Sequence, residues 1–378
     1  MGKKRMMTFG DVATYVNGYA FKPKDYSLSG LQIIRIQDLT GNAYQTNYYE
    51  GTLPEKYVVH SGDVLISWSA SLGVYCWNNA DAYLNQHIFK VVFDKLNLDK
   101  DYFVHQASYR IKRAQYLAHG ATMTHLTKKV FDELPFFVPS LEGQRKVAST
   151  LDMVQKQITI AEQMLAKADE LIQSRFVEMF GDPIHDHHFN EKRIDEICSL
   201  KIGPFGSALH KEDYIDNGHC VINPMHVING KVYPDRSFSV DTKKYEELKA
   251  YHLNIGDVVL GRRGEIGRCG IVLQKGLLCG TGSMILRPSK VVNSDYLQRV
   301  IASSSVRYSL EQRSVGVTMK NLNAKTVGET VISVPPLALQ NEFAEFVTQV
   351  ESLKTTTRQQ LDRLNTLYDS LAQRYFAE

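Results

Sequence analysis

Two stretches of the chain repeat apolar or small residues at the spacing of a long amphipathic helix. In the first, the steps alternate between four and three residues, over Val147, Leu151, Val154, Ile158, Ala161, Leu165, Ala168 and Ile172. The second has the same steps, with a break near Lys354 and Thr357, over Phe343, Val347, Val350, Leu361, Leu364, Tyr368, Leu371 and Tyr375. Such a heptad seam buries its face against another helix. The pattern therefore predicts two helices, each about 50 Å long at about 1.5 Å per residue, that pair with each other.

The rest of the sequence mixes helical and strand-like patterns. Short runs of β-branched and aromatic residues, such as QIIRI at 32–36 and VLISW at 64–68, are typical of strands and are bounded by Gly-Asp and Asn-Gly turns. Proline precedes each long helix, at Pro139 and Pro335, and a Gly-Asp-Pro stop at 181–183 ends the first helix. We predict an α+β fold in which two similar mixed α/β lobes are separated by two long antiparallel helices.

The two halves of the chain repeat each other. Three pairs of segments match, at offsets of 188, 194 and 196 residues: KDY at 24–26 with EDY at 212–214, GDVLI at 62–66 with GDVVL at 256–260, and 120–141 with 316–337. The second pair continues in both halves to a glycine, Gly73 and Gly267. The drift in offset indicates small insertions in loops, so the chain consists of two diverged copies of one unit.

These patterns divide the chain into four segments. We predict a first lobe at 1–140, a helical spacer at 141–185, a second lobe at 186–333 and a second spacer at 334–378. An apolar stripe on a lone helix would pack against its own lobe, but two stripes of this length in one chain favour mutual pairing. Antiparallel pairing would place the lobes at opposite ends of a rod, related by an approximate half-turn.

Composition and charge change this picture little. Hydrophobic residues make up 43% of the chain and charged residues 22%, which is enough apolar material for sizeable cores. The net charge of +3 divides into +3 and +4 on the lobes and −2 on each spacer. The N-terminus lacks the apolar stretch of a signal peptide, and no membrane-length apolar run occurs. The five cysteines form no Cys-x-x-Cys pair, so we expect reduced thiols in a cytoplasmic protein.

The order of lobe, long helix, lobe and long helix resembles that of the specificity subunits of type I restriction–modification systems, the HsdS family. In that family two target-recognition domains alternate with two helical spacers. The motifs that carry the resemblance are GYAF at 18–21, KDY at 24–26, IRIQDL at 34–39, GDVLIS at 62–67, QHI at 86–88, GPFGS at 203–207, and the Thr-Met and Val-Pro-x-Leu blocks at 122–123, 138–141, 318–319 and 334–337. Each motif is weak alone, and their repeated order is specific.

The resemblance implies a DNA-recognition subunit without chemistry of its own. Each lobe would recognise one half of a bipartite, asymmetric target on double-stranded DNA, and the paired helices would set the spacing and dock two adenine-methyltransferase subunits. Restriction subunits would complete the assembly, so S-adenosylmethionine, ATP and Mg are expected in the partner subunits and no cofactor in this chain. Two alternatives stay open: a coiled-coil scaffold that binds proteins and has no DNA role, and a fused nuclease similar to type II enzymes.

The second lobe departs from the pattern of the first at two places. IRI at 34–36 is replaced by INP at 222–224. QHI at 86–88 aligns in sequence with GSM at 282–284. Differences of this kind are expected of two lobes that recognise different bases.

The candidate DNA contacts lie in turns of both lobes. GRRGEIG at 261–267 lacks the Gly-Lys-Ser/Thr ending and the following helix of a phosphate-binding loop. It is therefore either a turn that presents two arginines to phosphate or guanine, or a solvated hairpin tip. In the first lobe, Trp68 either provides an aromatic surface to DNA or packs into the core. Gln86 could form two hydrogen bonds with adenine. A structural role for His87 is at least as well supported as a DNA contact. The full set is Lys22, Lys24, Arg35, Ser67, Trp68, Ser69, Gln86, His87, Thr122, His125, Lys128, Ser207, His210, Lys211, Arg262, Arg263, Thr281, Ser283, Thr318, Lys320 and Asn321.

Other motifs point away from catalysis. The HDHH run at 185–188 follows the helix end, and no matched ligands lie nearby in sequence, so we expect a solvated linker and no metal site. NPMH at 223–226 lacks the second proline and the aromatic residue of an adenine-methyltransferase motif, and no Gly-x-x-x-x-Gly-Lys-Ser/Thr segment occurs. We therefore predict no catalytic residues in this chain.

Overall fold

A computed structural model gives the fold of the protein and describes residues 5–69, 71–117, 127–206, 208–314 and 321–377. The chain divides into two compact units. The first unit comprises Met1–Glu162 with Arg358–Glu378, and the second comprises Gln163–Thr357. Each unit therefore contains one lobe together with one part of each long helix.

The first lobe is a mixed α/β unit. Its helices are α1 (Phe9–Val12), α2 (Ile36–Leu39), α3 (Lys100–Leu117) and α4 (Lys128–Glu133). Its strands are β1 (Arg5–Thr8), β2 (Thr14–Asn17), β3 (Leu31–Ile34), β4 (Tyr48–Tyr49), β5 (Val58–Val59), β6 (Val64–Ser67), β7 (Gly73–Cys76), β8 (Ala82–Leu84), β9 (Ile88–Val92) and β10 (Pro135–Val138). One sheet has the order β2-β9-β6-β7, a second has the order β4-β3-β8-β5, and β1 pairs with β10.

Strand β6 lies between two cores of this lobe. All four residues of Val64–Ser67 are buried. Ile66 packs into the core that contains Phe103 of α3, whereas its neighbour Leu65 packs into a second core with Trp77. Side chains alternate between the two faces of a strand, so this apolar run requires cover on both sides. The position of β6 follows from its composition.

The second lobe contains the same kinds of element. Its helices are α6 (Ile194–Ile197), α7 (Thr242–Glu247), α8 (Ser294–Ala302), α9 (Ser304–Gln312) and α10 (Ala324–Gly328). Its strands are β11 (Asn190–Arg193), β12 (Cys198–Ile202), β13 (Tyr214–Ile215), β14 (His219–Ile222), β15 (Val227–Ile228), β16 (Lys231–Val232), β17 (Ser239–Val240), β18 (His252–Leu253), β19 (Val258–Gly261), β20 (Cys269–Ile271), β21 (Leu277–Cys279), β22 (Ser283–Pro288) and β23 (Val331–Val334). The sheet orders are β12-β22-β19-β20-β16-β15, β13-β17-β14-β21-β18 and β11-β23.

The two predicted long helices are continuous. Helix α5 spans Leu141–Phe180 and α11 spans Leu337–Phe376, 40 residues each. Helix α5 ends at the predicted glycine, and Gly181 has a φ of +70°. That left-handed conformation is the usual stop of an α-helix and is least strained for glycine.

The helices pack antiparallel within the second unit. Phe180 and Phe176 of α5 both contact Phe343 of α11, with ring centroids 5.5 Å apart in each pair. Farther along, Asp169 of α5 meets Lys354 of α11 at 2.5 Å between Oδ1 and Nζ. Residue numbers fall along α5 as they rise along α11, so the helices run in opposite directions.

The first unit shows the same pairing. Ala148 and Leu151 of α5 share one core with Ala372 and Phe376 of α11. His105 of α3 contacts both helices, with its ring nitrogens 2.8 Å from Asp152 Oδ1 and 2.8 Å from the Tyr368 hydroxyl. The predicted fold class, two mixed lobes with two long antiparallel helices, is confirmed.

The seam residues lie on the packed side of both helices. Those that are buried are Leu151, Ile158, Ile172, Phe343, Val347 and Val350, and those that are half-buried are Val147, Val154, Leu165, Leu361, Leu364 and Leu371. Where the apolar pattern breaks, burial continues: Lys354 and Thr357 are each 4% exposed. The break in the apolar pattern is therefore occupied by buried polar side chains.

Candidate nucleic-acid interface

Backbone hydrogen bonds bring four loops together at one edge of the first lobe. The loops follow β2, β3, β6 and β8 in sequence. The bonds run from Gly18 N to Ile88 O, Gln86 N to Tyr19 O, Asn85 N to Ile34 O and Trp68 N to His87 O, at 3.2, 2.9, 3.2 and 3.4 Å. Candidate contacts that are far apart in sequence, among them Arg35, Trp68 and Gln86, therefore occupy adjoining loops.

Trp68 is half-buried at this edge. Its ring lies nearly parallel to Phe89, with centroids 5.8 Å apart, and 5.5 Å from the ring of His87. Its Nε1 donates to Asn17 Oδ1 at 3.3 Å. One face of the indole thus packs on the core while the rest contributes to the surface, so both interpretations from the sequence describe part of its environment.

The neighbouring candidates differ in exposure. His87 is exposed and Gln86 is half-buried, and their side-chain Nε2 atoms are 3.3 Å apart. Ser67 and Ser69 are buried, and the Ser67 hydroxyl donates to Ser69 O at 3.2 Å. His87 and Gln86 are therefore the accessible polar groups of this set, whereas the Ser67 hydroxyl is engaged within the turn.

The basic candidates of the first lobe lie outside this turn. Lys22 and Lys24 are exposed and Arg35 is half-buried. Lys128 is exposed, and its Nζ pairs with Asp132 Oδ2 one turn along α4, at 2.8 Å. Because its charge is already matched, Lys128 has less positive potential to offer a phosphate than Lys22 and Lys24 have.

The second lobe forms its loop edge with the same hydrogen bonds. Gly203 N donates to Ser283 O, Gly280 N to Ile222 O and Arg262 N to Gly282 O, at 3.0, 2.9 and 2.9 Å. These bonds match Gly18 to Ile88, Asn85 to Ile34 and Trp68 to His87 in the first lobe. The two edges therefore share one backbone framework.

This framework corrects one alignment drawn from the sequence. The expected match of 86–88 with 282–284 is wrong, because the hydrogen bonds place 86–88 opposite 281–283. The turn after β6 joins Ser67 to Gly73, and the turn after β19 joins Gly261 to its partner Arg268. The turn of the second lobe is therefore one residue longer. Because of this extra residue, Gly73 corresponds to Arg268 and not to Gly267. Trp68 corresponds to Arg262, and Gln86 corresponds to Thr281.

Arg262 and Arg263 differ in environment. Arg262 is 8% exposed, and its Nε donates to Leu322 O at 2.9 Å. Burial, together with the adjacent Arg263, lowers the pKa of Arg262 below its usual range. Arg263 is exposed, and its backbone forms a bridge with Asn321. The turn therefore presents one guanidinium that is held by a hydrogen bond and one that is exposed.

The other candidates of the second lobe surround this turn. Thr281 and Asn321 are half-buried and His210 and Lys211 are exposed, whereas Ser283 is wholly buried. The Ser283 hydroxyl and the Asn321 Oδ1 are buried atoms that have no hydrogen-bond partner in the described part of the chain. Five further candidates, Thr122, His125, Ser207, Thr318 and Lys320, lie outside the described residues.

Two exposed apolar side chains near this edge were not predicted. Phe205 is 66% exposed and Met225 is 57% exposed. Phe205 lies between Gly203 and Gly206 in the loop after β12, and Met225 follows β14. The nearby glycines are the only indication in the sequence that Phe205 is exposed. A single aromatic residue in a loop belongs to no periodic pattern from which its exposure could be predicted.

The HDHH run forms local pairs. His185 Nδ1 is 3.0 Å from Asp182 Oδ1, and His187 Nδ1 contacts a Glu191 carboxylate oxygen. Across the described ranges, His, Cys, Asp and Glu form no group of three that could hold a metal ion. Of the helices in those ranges, none has both the length and the apolarity that crossing a membrane requires.

Comparisons with known proteins match nearly the whole chain. It is 22% identical over 404 residues to the type I restriction enzyme EcoBI specificity subunit of Escherichia coli, covering 98% of this chain and 85% of that protein. It is 18% identical over 385 residues to the type I restriction enzyme MjaVIII specificity subunit of Methanocaldococcus jannaschii, covering 95% of this chain and 88% of that protein.

Solved structures share the fold. A chain from a study of complex assembly and conformational transition of a type I R-M system aligns with a TM-score of 0.60 and 16% identity, covering 100% of this chain and 98% of that one. The S subunit of the type I system of M. genitalium aligns with a TM-score of 0.54 and 15% identity, covering 100% and 96%. The family model of the type I restriction modification DNA specificity domain matches residues 1–170 and again 187–366. With both copies of that domain present and the loop edges built alike, this chain belongs to the family of type I restriction modification DNA specificity domains.

Proposed function

We propose that each lobe of this DNA-specificity subunit recognises one half of a two-part, asymmetric target. The observation that carries the proposal is the matched pair of loop edges, in which the same backbone bond positions Trp68 in one lobe and Arg262 in the other. An indole and a guanidinium contact different groups of a base pair. Lobes that share a framework but differ in side chains are suited to different half-sites.

The chain acts within a larger assembly. A type I restriction–modification specificity subunit combines with DNA and with methyltransferase and restriction subunits. We propose that two methyltransferase subunits dock on α5 and α11, and that these helices set the spacing of the half-sites. Exposed apolar side chains on the outer face of α5, including Met153, Met164 and Leu171, support a docking role.

Catalysis belongs to the partners. The two relatives described above are specificity subunits, and the matching family is a DNA specificity domain, which supports a chain that selects the target without reacting with it. We propose that S-adenosylmethionine, ATP and Mg bind to the partner subunits and that no cofactor binds to this chain.

The test is fluorescence anisotropy of the chain in complex with its methyltransferase partner, on labelled genomic and random duplexes at several salt concentrations. We expect binding to weaken steeply with salt, because lysine and arginine contacts to phosphate release counterions. We also expect the genomic pool to contain duplexes that bind at least tenfold more tightly than the random pool.

Two other outcomes would replace the proposal. Absence of salt-sensitive DNA binding would favour a protein-binding scaffold. Metal-dependent cleavage of DNA by the purified chain alone would favour a fused nuclease. A matched control is Arg268→Gln, which removes an arginine that is already paired with Glu265 and should leave DNA affinity unchanged.

A further inference from the structure

Arg262 is a buried cation without a counter-charge in the described part of the chain. Two other arginines near the same turn, Arg268 and Arg307, both pair with Glu265, at 2.6 and 3.4 Å. Arg262 has no such partner there, and the next residue in the turn, Arg263, is another cation whose charge lowers the pKa of Arg262. Burial of an unpaired charge is costly unless a ligand completes its interactions.

The guanidinium of Arg262 is held in one orientation. Its Nε donates to Leu322 O at 2.9 Å. Its backbone is fixed on both sides, with its N donating to Gly282 O and its O accepting from Leu322 N, at 2.9 and 3.0 Å. The terminal nitrogens Nη1 and Nη2 donate to no described residue, and neither is among the buried polar atoms that lack a partner. Both therefore reach the surface with their donors unused.

A fixed pair of N–H donors suits a ligand with two acceptors in one plane. Guanine offers O6 and N7 side by side in the major groove, and an arginine that donates to both is the commonest base-specific contact. A phosphate also accepts two bonds, but it needs no buried, oriented donor and is equally served by an exposed, flexible one. Arg263, one position along the same turn, is exposed.

We propose that Arg262 recognises a guanine in the half-site of the second lobe and that Arg263 contacts the DNA backbone beside it. This inference rests on the proposed function of the lobes. The corresponding position of the first lobe is Trp68, which has no comparable pair of donors. The guanine contact therefore belongs to the second half of the target alone.

The test uses the complex of the full chain with its methyltransferase partner, on the target found by methylation mapping. Each guanine of the second half-site is replaced in turn by 7-deazaguanine, which lacks the N7 acceptor. For the wild-type protein we expect one replacement to weaken binding about tenfold and the others to have little effect. The Arg262→Met protein has no N–H donors at this position, so it should bind normal and substituted DNA equally.

Matched variants separate the two arginines. Arg263→Gln should weaken binding to all sequences alike and reduce the slope of affinity against salt by about one ion. Arg268→Gln, in the same turn but paired with Glu265, should change neither. Thermal unfolding of each variant shows whether it folds, and the DNA substitutions with wild-type protein can overturn the inference even where a variant does not fold.

Several results would overturn the inference. One is a second half-site without any guanine, and another is wild-type binding that is unaffected by 7-deazaguanine at every position. A third is an Arg262→Met protein that keeps the wild-type sensitivity. A complex that methylates no two-part target would instead refute the proposed function, which is a different failure.

Discussion

At the scale of single residues, one buried glutamine fixes the start of each long helix. Gln144 is 2% exposed, and its Oε1 accepts from Asp99 N at 2.8 Å. Gln340 is 0% exposed, and its Oε1 accepts from Asn293 N at 2.7 Å while its Nε2 donates to Pro335 O at 2.8 Å. Each side chain thus ties its helix to the lobe that precedes it.

Gln340→Ala should destabilise the second unit by about 3 kcal/mol, because it leaves several buried backbone groups without a partner. Urea unfolding followed by circular dichroism measures the change. Gln349→Ala on the exposed side of the same helix is the control and should have little effect. A loss below about 0.5 kcal/mol for Gln340→Ala would contradict this role.

A histidine replaces an aspartate at one matched position of the two loop edges. Asp38 accepts from Arg35 N at 2.8 Å in the first lobe, and His226 Nδ1 accepts from Asn223 N at 3.0 Å in the second. His226 is 4% exposed, and burial lowers its pKa. A histidine accepts at Nδ1 only while that nitrogen is unprotonated. The second loop edge therefore depends on a neutral imidazole.

Below about pH 6.5, the usual histidine pKa, the second lobe should lose stability relative to a His226→Asn protein. The folded pKa lies below the unfolded one, so the unfolded chain binds more protons in this range. The stability that neutral His226 contributes is complete above its pKa in the unfolded chain and is lost as the pH falls toward its pKa in the folded protein. Urea unfolding from pH 7.5 to 5 measures this loss. Parallel pH profiles for the two proteins would show that His226 does not titrate as stated.

At the scale of elements, the long helices were predictable and the loop edges were only partly so. Apolar residues at alternating steps of four and three, with proline before them and Gly181 after them, predict the ends of α5 almost to the residue. Strands of two residues, such as Tyr48–Tyr49, have no period of their own and form through their neighbours. The one-residue insertion after β19 was also hidden, because the sequence does not show which residue pairs across a turn.

The burial of Lys354 was equally hidden, since lysine is usually exposed. Its Nζ lies 2.5 Å from Asp169 Oδ1 and 2.9 Å from Glu351 Oε1. Glu351 Oε2 also accepts from Lys231 of β16 at 2.6 Å. Burial alone would raise the pKa of Glu351, but the hydrogen bonds from both lysines outweigh it and lower that pKa. This network joins the second lobe to both helices.

Glu351→Gln should destabilise the second unit by about 2–3 kcal/mol, because Lys231 and Lys354 lose a shared counter-charge. Lys354→Met should stay within about 1 kcal/mol of wild type, since a methionine fills the seam and Glu351 keeps Lys231. Urea unfolding of both single variants and of the double variant measures the coupling. A Glu351→Gln protein as stable as wild type would mean that the network contributes little.

At the scale of the whole molecule, the two lobes have their own cores and loop edges, so substitutions in them should act separately. Trp68→Ala should change recognition in one half of the target only, and Arg262→Met in the other half only. The double variant should show the sum of both effects on binding free energy. Affinity measured on duplexes altered in either half tests this, and a change in both halves from one substitution would refute independent recognition.

The most direct test of the account maps methylated adenines in a host genome that expresses this chain with its methyltransferase partner. The account predicts one methylated motif with two unlike specific halves separated by a gap of fixed length, and its loss when this chain is absent. Methylation at a single uninterrupted or palindromic motif, or methylation that persists without this chain, would contradict it.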